Sequence, residues 1–239
     1  MTYRIALAGN PNTGKSTLFN ALTGLRQHTG NWPGKTVTSA EGTFTHNNRT
    51  YTIVDLPGTY SLFSNSADEE VARDFLIFGR PDVTLVVVDA TALERNLNLV
   101  LQILEITDRV IVVVNLMDEA RRQGIAIDAD ALSRQLGVPV VLAAARNGEG
   151  IPELLDTLDK MVRGEITTAP LQIRYSEDVE QRIAALEPSV RNVLGDAFPS
   201  RWIALRLLDG DDALLTALKK HLSSPREEGK RYAPIRASI

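Results

Sequence analysis

One short stretch near the N-terminus constrains the fold of this chain more than any other. Residues 9–16 read GNPNTGKS and match the pattern G-x-x-x-x-G-K-[ST] between an apolar run at 5–8 and a helical pattern at 16–25. In such a loop the backbone N–H groups face a polyphosphate, Lys15 compensates its charge, and the Ser16 hydroxyl binds Mg²⁺. The residues expected to contact the phosphates are Asn10, Pro11, Asn12, Thr13, Gly14, Lys15, Ser16 and Thr17.

The apolar runs predict the rest of the fold. Short runs rich in valine and isoleucine occur at 5–8, 53–54, 84–88, 110–114 and 138–142. Because helical patterns separate these runs, we expect an α/β fold with a doubly wound, mostly parallel sheet of six to seven strands. Residues 41–55 contain Gly42, Asn47 and Asn48 between extended stretches and predict a hairpin, hence one antiparallel edge strand.

The pattern changes after Gly164. Residues 165–170 are polar and end in proline, which predicts a linker. Apolar residues at helical spacing then follow Ser176, a candidate N-cap, and two shorter helices are expected at 202–208 and 211–222. We therefore predict a nucleotide-binding domain at 1–165, a small all-helical subdomain at 166–222 and a loose tail at 223–239.

A second motif bears on which base is bound. Asn115, Leu116, Met117 and Asp118 follow the strand at 110–114, and ligands of such sheets bind at the carboxyl ends of strands. The stretch resembles the N-K-x-D guanine motif of small GTPases, with leucine in place of the lysine that packs on the base. By that resemblance Asp118 accepts hydrogen bonds from guanine, Asn115 braces the base and the phosphate loop, and Met117 is a further nucleotide-binding residue.

A third segment, Ala144-Ala145-Arg146, lies where GTPases carry S-A-K/R. The resemblance implies that a backbone N–H of this segment, chiefly that of Ala145, contacts guanine O6. Ala144 replaces the usual serine, whose hydroxyl helps to shape the loop.

The γ-phosphate is expected to be sensed by two loops. Asp55-Leu56-Pro57-Gly58 resembles the D-x-x-G element of GTPases, in which the carboxylate holds Mg²⁺ through water and the glycine N–H donates to the γ-phosphate. In the polar loop 26–40, Thr36 is the candidate for a second hydroxyl on Mg²⁺, beside Gly34 and Lys35. Loops that order on such contacts and relax after hydrolysis form a switch.

Composition argues against several other functions. The formal net charge of −4 provides no basic surface for nucleic acid, so no nucleic-acid partner is expected. Cysteine is absent and the three histidines, His28, His46 and His221, are scattered, so we expect no iron site in this chain. Its apolar runs are shorter than the about 20 residues that a membrane helix needs, and we expect a soluble polypeptide.

Taken together, the motifs Asn10-Pro11-Asn12, Asn31-Trp32-Pro33-Gly34, 55–62 (DLPGTYSL) and 115–118 (NLMD) resemble the cytosolic part of the ferrous-iron transport protein B (FeoB) family. The resemblance covers most of 3–163 and, less specifically, 171–222. It implies a GTP- and GDP-binding module on the cytoplasmic face of the inner membrane, joined through its helical subdomain to the permease of a longer polypeptide. Lys35 stands where the family mostly has an apolar residue.

The resemblance also implies how GTP is hydrolysed. Thr59 occupies the position of the glutamine that orients water in many GTPases, and its side chain is too short for that task. We hypothesise that switch backbone groups hold the water, with Lys15, Thr36, Gly58 and Asn12 as the catalytic set. Asn12 would coordinate a K⁺ ion, as the matching asparagine does in K⁺-stimulated relatives. Hydrolysis is expected to be slow.

Two alternatives remain open from the sequence. One is an RNA- or ribosome-associated P-loop GTPase with the same motifs, against which the acidic balance argues. The other is a nucleotide-binding scaffold that does not hydrolyse GTP, suggested by the missing glutamine.

Overall fold

The computed structural model describes residues 2–24, 27–32, 35–63 and 66–223, so the predicted contact at Gly34 and nearly all of the predicted tail lie outside it. The strands are β1 (Thr2–Gly9), β2 (Gln27–Asn31), β3 (Thr38–His46), β4 (Arg49–Asp55), β5 (Val83–Asp89), β6 (Val110–Asn115) and β7 (Val140–Leu142). The helices are α1 (Lys15–Thr23), α2 (Ala67–Asp74, continued by a π-helical turn at Phe75–Gly79), α3 (Leu93–Leu104), α4 (Met117–Arg122), α5 (Ala129–Leu136), α6 (Ile151–Val162), α7 (Glu177–Leu194), α8 (Ser200–Leu208) and α9 (Asp212–Ser223).

The described strands form one seven-stranded sheet in the order β2-β3-β4-β1-β5-β6-β7. From β4 to β7 all neighbours are parallel, which confirms the predicted α/β class. The predicted hairpin is confirmed as β3 and β4, joined at Asn47 and Asn48, whose φ angles of 47° and 59° suit a tight hairpin turn.

One strand of the described sheet, β3, runs antiparallel to the others, as predicted, but its predicted position at the edge of the sheet was wrong. Residues Gln27–Asn31, expected to be part of a polar loop, form β2 and pair with β3 from Gln27↔Gly42 to Asn31↔Thr38. The sequence QHTGN has no alternating apolar pattern, so the backbone ladder with β3, rather than burial of one face, defines this strand.

Side chains alternate between two hydrophobic clusters on the faces of the sheet. In β1, Ile5 and Leu7 pack with α1 and α6, whereas Ala6 and Ala8 face the cluster that contains α3. That second cluster also includes Trp202 of α8. The helices at the C-terminal end therefore pack against the same face of the sheet as α2 and α3.

The linker before α7 is extended, and it is hydrogen-bonded to the sheet domain. Ala169 N–H donates to the Gly137 carbonyl at 2.9 Å, and Leu171 N–H to that of Leu136 at 2.9 Å. Ser176 is the N-cap of α7, as predicted, but its side chain makes no capping bond. The domain boundaries at 165 and 222 stay predictions. No described helix is both long enough and apolar enough to cross a membrane.

A buried carboxylate ties the β3–β4 hairpin to α6. Asp159 accepts hydrogen bonds from Tyr51 Oη at 2.8 Å, Arg49 Nη1 at 2.9 Å and Asn47 Nδ2 at 3.2 Å. Burial by itself raises the pKa of Asp159, but these hydrogen bonds and the charges of Arg49 and Arg163 outweigh it, so the pKa is lowered. The ionised carboxylate is therefore part of the folded structure.

Candidate nucleotide-binding site

The sequence motifs meet at one edge of the sheet. The phosphate loop follows β1, Asp55 ends β4 and Asn115 ends β6, and these parallel strands all have their carboxyl ends at that edge. Open α/β sheets bind ligands there, where helix N-termini and loop amides are also exposed. The topology therefore brings together residues more than 100 positions apart.

The phosphate loop has a conformation that requires glycine at its last position. Gly14 has a φ of 79°, and a Cβ on it would lie 2.3 Å from Nδ2 of Asn115. Asn12, Ser16 and Thr17, three of the predicted contacts, are exposed on this loop and on the first turn of α1. Their side chains are thus accessible to a ligand.

Two other predicted contacts, Asn10 and Thr13, have buried side chains. The Thr13 hydroxyl donates to the Asn10 carbonyl at 3.0 Å, so this pair shapes the loop instead of presenting side chains to a ligand. Pro11 packs against the D-x-x-G element, because its Cα lies 3.3 Å from where a Cβ on Gly58 would be.

Asn115 connects the phosphate loop to the segment at 144–146. Its buried carboxamide donates from Nδ2 to the Thr13 carbonyl at 2.9 Å and accepts at Oδ1 from the Ala145 N–H at 3.0 Å. The Ala145 N–H, predicted to contact guanine O6, is therefore engaged by Asn115, and Ala144 N–H donates to the Glu149 carbonyl at 3.1 Å. Arg146 is exposed beside them.

Asp118 lies in the first turn of α4 and is half-buried, with Arg122 Nη2 3.7 Å from its Oδ2. The preceding Leu116 has a φ of 65°, an uncommon conformation for a leucine, which turns the chain sharply from β6 into α4. Met117 was predicted to contact the nucleotide, but its side chain is in the hydrophobic core and its N–H donates to the Ala143 carbonyl. Its side chain is not available to a ligand.

Lys15 and Asp55, predicted to bind phosphate and Mg²⁺ respectively, form an ion pair with each other. Burial raises the pKa of the Asp55 carboxyl, and the adjacent Lys15 ammonium opposes that effect. Each charge compensates the other in a partly buried position, where an unpaired charge would be costly.

The structure brings Thr36 close to the D-x-x-G element. A cavity of about 420 Å³ is lined by Thr36, Val37, Thr38, Pro57, Gly58, Ser66, Ala67 and Asp68. Lys35, expected beside the γ-phosphate, instead pairs with Glu70 of α2. Thr59, at the position of the usual glutamine, is only 4% exposed.

Sequence reasoning missed the elements that surround this edge. Helix α2 begins after Ser66, whose hydroxyl accepts from Glu69 N–H at 3.2 Å, and the S-x-x-E pattern with acidic residues behind it could have predicted this start. The contact of Arg206 with Phe63, with Cζ 4.8 Å from the ring centroid, has no such signal because the residues are far apart in sequence.

The histidines do not gather into a metal site. Among the described residues, no three His, Cys, Asp or Glu side chains are grouped so that they could hold a metal ion. His46 bonds to Asp156 at 3.0 Å, and His221 stacks on Phe78 with 4.9 Å between ring centroids.

Comparison with known proteins identifies two family models in the chain. "Ferrous iron transport protein B" matches residues 3–158 and "FeoB cytosolic helical domain" matches 175–239. A Fe(2+) transport protein A/Fe(2+) transporter FeoB fusion protein of Porphyromonas gingivalis is 42% identical over 212 residues, 87% of this chain and 25% of that protein. The Fe(2+) transporter FeoB of Escherichia coli K12 is 38% identical over 242 residues, 92% of this chain and 30% of that protein.

Solved structures of FeoB cytosolic domains also match this chain. The cytosolic domain of the T. maritima FeoB iron transporter in apo form superposes with a TM-score of 0.81 at 39% identity, covering 97% of this chain and 91% of that one. The same domain in GMPPNP form gives 0.79 at 38% identity, covering 96% and 90%. The chain spans less than a third of the length of the curated relatives it matches, at 25% and 30%.

Proposed function

We propose that this chain, which belongs to the FeoB family of ferrous iron transport proteins, is a G domain with its helical domain that binds GTP, hydrolyses it slowly and acts as a switch. One observation carries the proposal. The carboxamide of Asn115 holds the phosphate loop at Thr13 and the 144–146 segment at Ala145, at the edge where Asp55 and Asp118 also lie. Asn115 therefore connects segments that are predicted to bind the two ends of a nucleotide.

Asp118 would select guanine. Its carboxylate is a pure hydrogen-bond acceptor when ionised, and guanine offers two adjacent donors, N1–H and the exocyclic amine. Adenine offers no matching pair of donors. Asp118 lies in the first turn of α4 with its side chain 29% exposed, so its carboxylate is accessible to a base.

At the phosphate end, the Lys15–Asp55 pair would exchange partners. A triphosphate offers Lys15 a new anionic partner, and the pair then opens and frees the Asp55 carboxylate. The hydroxyls of Ser16 and Thr36 together with Asp55 form an all-oxygen donor set, which is the kind that Mg²⁺ prefers. When bound, Mg²⁺ neutralises charge on the β- and γ-phosphates.

Water activation would not depend on a side chain at position 59. Thr59 is buried, so we infer that backbone groups of the switch segments hold the water and that the Gly58 N–H donates to the γ-phosphate. Asn12 is exposed on the phosphate loop, where its amide oxygen is accessible to a K⁺ ion. Without an orienting glutamine, hydrolysis is expected to be slow.

The partner of the switch would be a permease in the same polypeptide, with the chain at the cytoplasmic face of the inner membrane. The relatives are named Fe(2+) transporters and are more than three times as long as the matched region. The helical part directly contacts Phe63 and α2, which follow the D-x-x-G element in the chain. Asp211 contacts Arg73 of α2 at 3.6 Å and Arg206 at 3.2 Å, and Arg206 lies over Phe63. These contacts offer a route from nucleotide state to the helical domain.

The test is GTP binding and turnover with ATP as competitor, in wild type and in Asp118→Ala. Selectivity for GTP is expected to be lost in this variant and retained in Glu119→Ala, which removes an exposed carboxylate from the same helix. Guanine selectivity that survives Asp118→Ala would refute the assignment of the base site.

A second measurement separates a switch from a non-hydrolysing scaffold. With Mg²⁺, we expect single-turnover phosphate release in K⁺ buffer and slower release in Na⁺ buffer. In Asn12→Ala the rates in the two buffers should become equal. Equal rates in the two buffers would contradict the role of Asn12, and no phosphate release in either would favour the scaffold.

A further inference from the structure

We propose that the ion pair between Arg121 and Glu149 is a positioning device that holds the 144–149 turn against α4 and thereby slows release of the nucleotide. The inference rests on the proposed function, since it concerns the same site. It assigns a role to two residues that belong to none of the GTPase motifs.

The two residues connect α4, which carries Asp118, to the turn that Asn115 joins to the phosphate loop. Arg121 lies one helical turn after Asp118 on α4, and Glu149 lies at the end of the turn formed by residues 144–149. Arg121 Nη1 donates to Glu149 Oε2 at 2.9 Å, and Nη2 donates to Oε1. Such a two-point contact between guanidinium and carboxylate fixes orientation as well as distance.

Glu149 also closes the 144–149 turn from within. Its backbone carbonyl accepts the Ala144 N–H at 3.1 Å, and these two residues form an isolated antiparallel bridge. One residue thus holds the turn closed through its backbone and holds it to α4 through its side chain. Because Ala144 has no hydroxyl to shape this turn, the contact made by Glu149 takes on more of that task.

The connection to the nucleotide site is short. Ala145, next to Ala144, donates its N–H to Asn115, which in turn holds the phosphate loop. If the pair of Arg121 and Glu149 is broken, the turn can move away from α4 and the Ala145–Asn115 bond loses support from that side. The base would then leave more easily, while the phosphate-end residues would stay in place.

Both side chains are charged near neutral pH. The hydrogen bonds from Arg121 lower the pKa of Glu149, and Glu149 in turn raises the pKa of Arg121. The side chains are 54% and 43% exposed, so added salt is expected to weaken the pair.

The test is the dissociation rate of a fluorescent GDP analogue from the full chain, measured by stopped flow. Arg121→Ala and Glu149→Ala are each expected to release GDP about threefold to fivefold faster, the scale of an exposed but two-point ion pair. The double variant should be no faster than either single one, because the two residues act as a unit. High salt should accelerate GDP release from wild type more than from the variants, which have already lost the ion pair.

A matched control and a rescue distinguish this role from general loss of stability. Glu165→Ala removes an equally exposed carboxylate that pairs with Arg163 at the other end of α6, and it should leave GDP release unchanged. The charge-swapped variant Arg121→Glu/Glu149→Arg should restore release to within about twofold of wild type. For GTP turnover, the single variants should raise KM and leave kcat unaltered, since the contact is present in both ground and transition states.

Unchanged GDP release in both single variants, or an equal increase in the release rate in Glu165→Ala, would overturn this inference. Neither result would affect the proposed function. Failure of the wild-type chain to bind GDP would refute the proposed function and this inference with it.

Discussion

The Asn115 carboxamide offers the sharpest test of how the site is built. It is 1% exposed, and its two hydrogen bonds join the phosphate loop to the segment at 144–146. Replacing it in Asn115→Ala removes both bonds at once. The Thr13 carbonyl and the Ala145 N–H, each on a buried residue, are then left without their partner.

The expected loss of stability in Asn115→Ala follows from those two unpartnered groups. Each buried polar group that loses its partner costs about 1–3 kcal/mol, so the two together should lower the free energy of unfolding by about 2–6 kcal/mol. Part of this loss of stability affects the nucleotide site, because Asn115 no longer connects the phosphate loop to the 144–149 turn. We expect GDP affinity to fall at least about tenfold, which corresponds to about 1.4 kcal/mol.

Asn96→Ala is the matched control. Asn96 is also buried and also makes two bonds to backbone, accepting from Asp89 N–H at 3.0 Å and donating to the Ala92 carbonyl at 3.0 Å. Its loss should lower stability by a similar amount and leave GDP affinity within about twofold of wild type.

Urea denaturation and titration with fluorescent GDP measure the two effects separately. The reasoning is refuted if Asn115→Ala unfolds within about 0.5 kcal/mol of wild type, since two unsatisfied buried groups cannot cost so little. It is also refuted if this variant loses stability but no more GDP affinity than Asn96→Ala.

Three further predictions concern the frame around the site. Gly14→Ala should lower the free energy of unfolding by at least about 2 kcal/mol and abolish GDP binding in a titration, because φ is 79° and the new Cβ would lie 2.3 Å from Asn115. Asp211→Ala should cost about 3 kcal/mol in urea denaturation, since it leaves Arg73 without one of its buried partners. The lowered pKa of Asp159 means that its carboxylate stabilises the fold above the unfolded pKa of about 3.9 and that this contribution is lost as pH falls through the folded pKa. Unfolding midpoints measured from pH 7 to 3 should therefore fall more steeply for wild type than for Asp159→Asn.

Features carried by local sequence were predictable. The β1 strand, the phosphate loop and α1 follow from a motif whose residues are contiguous, and the Asn47-Asn48 turn follows from two residues that tolerate positive φ. The strands β5 and β6 follow from short runs rich in valine and isoleucine, which are typical of buried parallel strands.

Features that depend on a distant partner were not predictable. β2 has no apolar pattern, and it is a strand only because β3 lies beside it. Lys35 was placed near the phosphates by its position in the sequence, yet Glu70 on α2 pairs with it. The choice of partner for a long charged side chain depends on which groups the fold places within a few ångströms.

The chemistry of this protein was determined by its sequence, because a phosphate loop, a D-x-x-G element and a carboxylate after N-L-M need only short segments with the right side chains. The arrangement of those segments was decided by the tertiary structure. Asn115, Arg121 and Glu149 acquire their roles when parallel strands bring their carboxyl ends to one edge of the sheet. A hydrogen bond needs its two groups within about 3 Å, whatever their separation along the chain. No pattern within one segment carries that information.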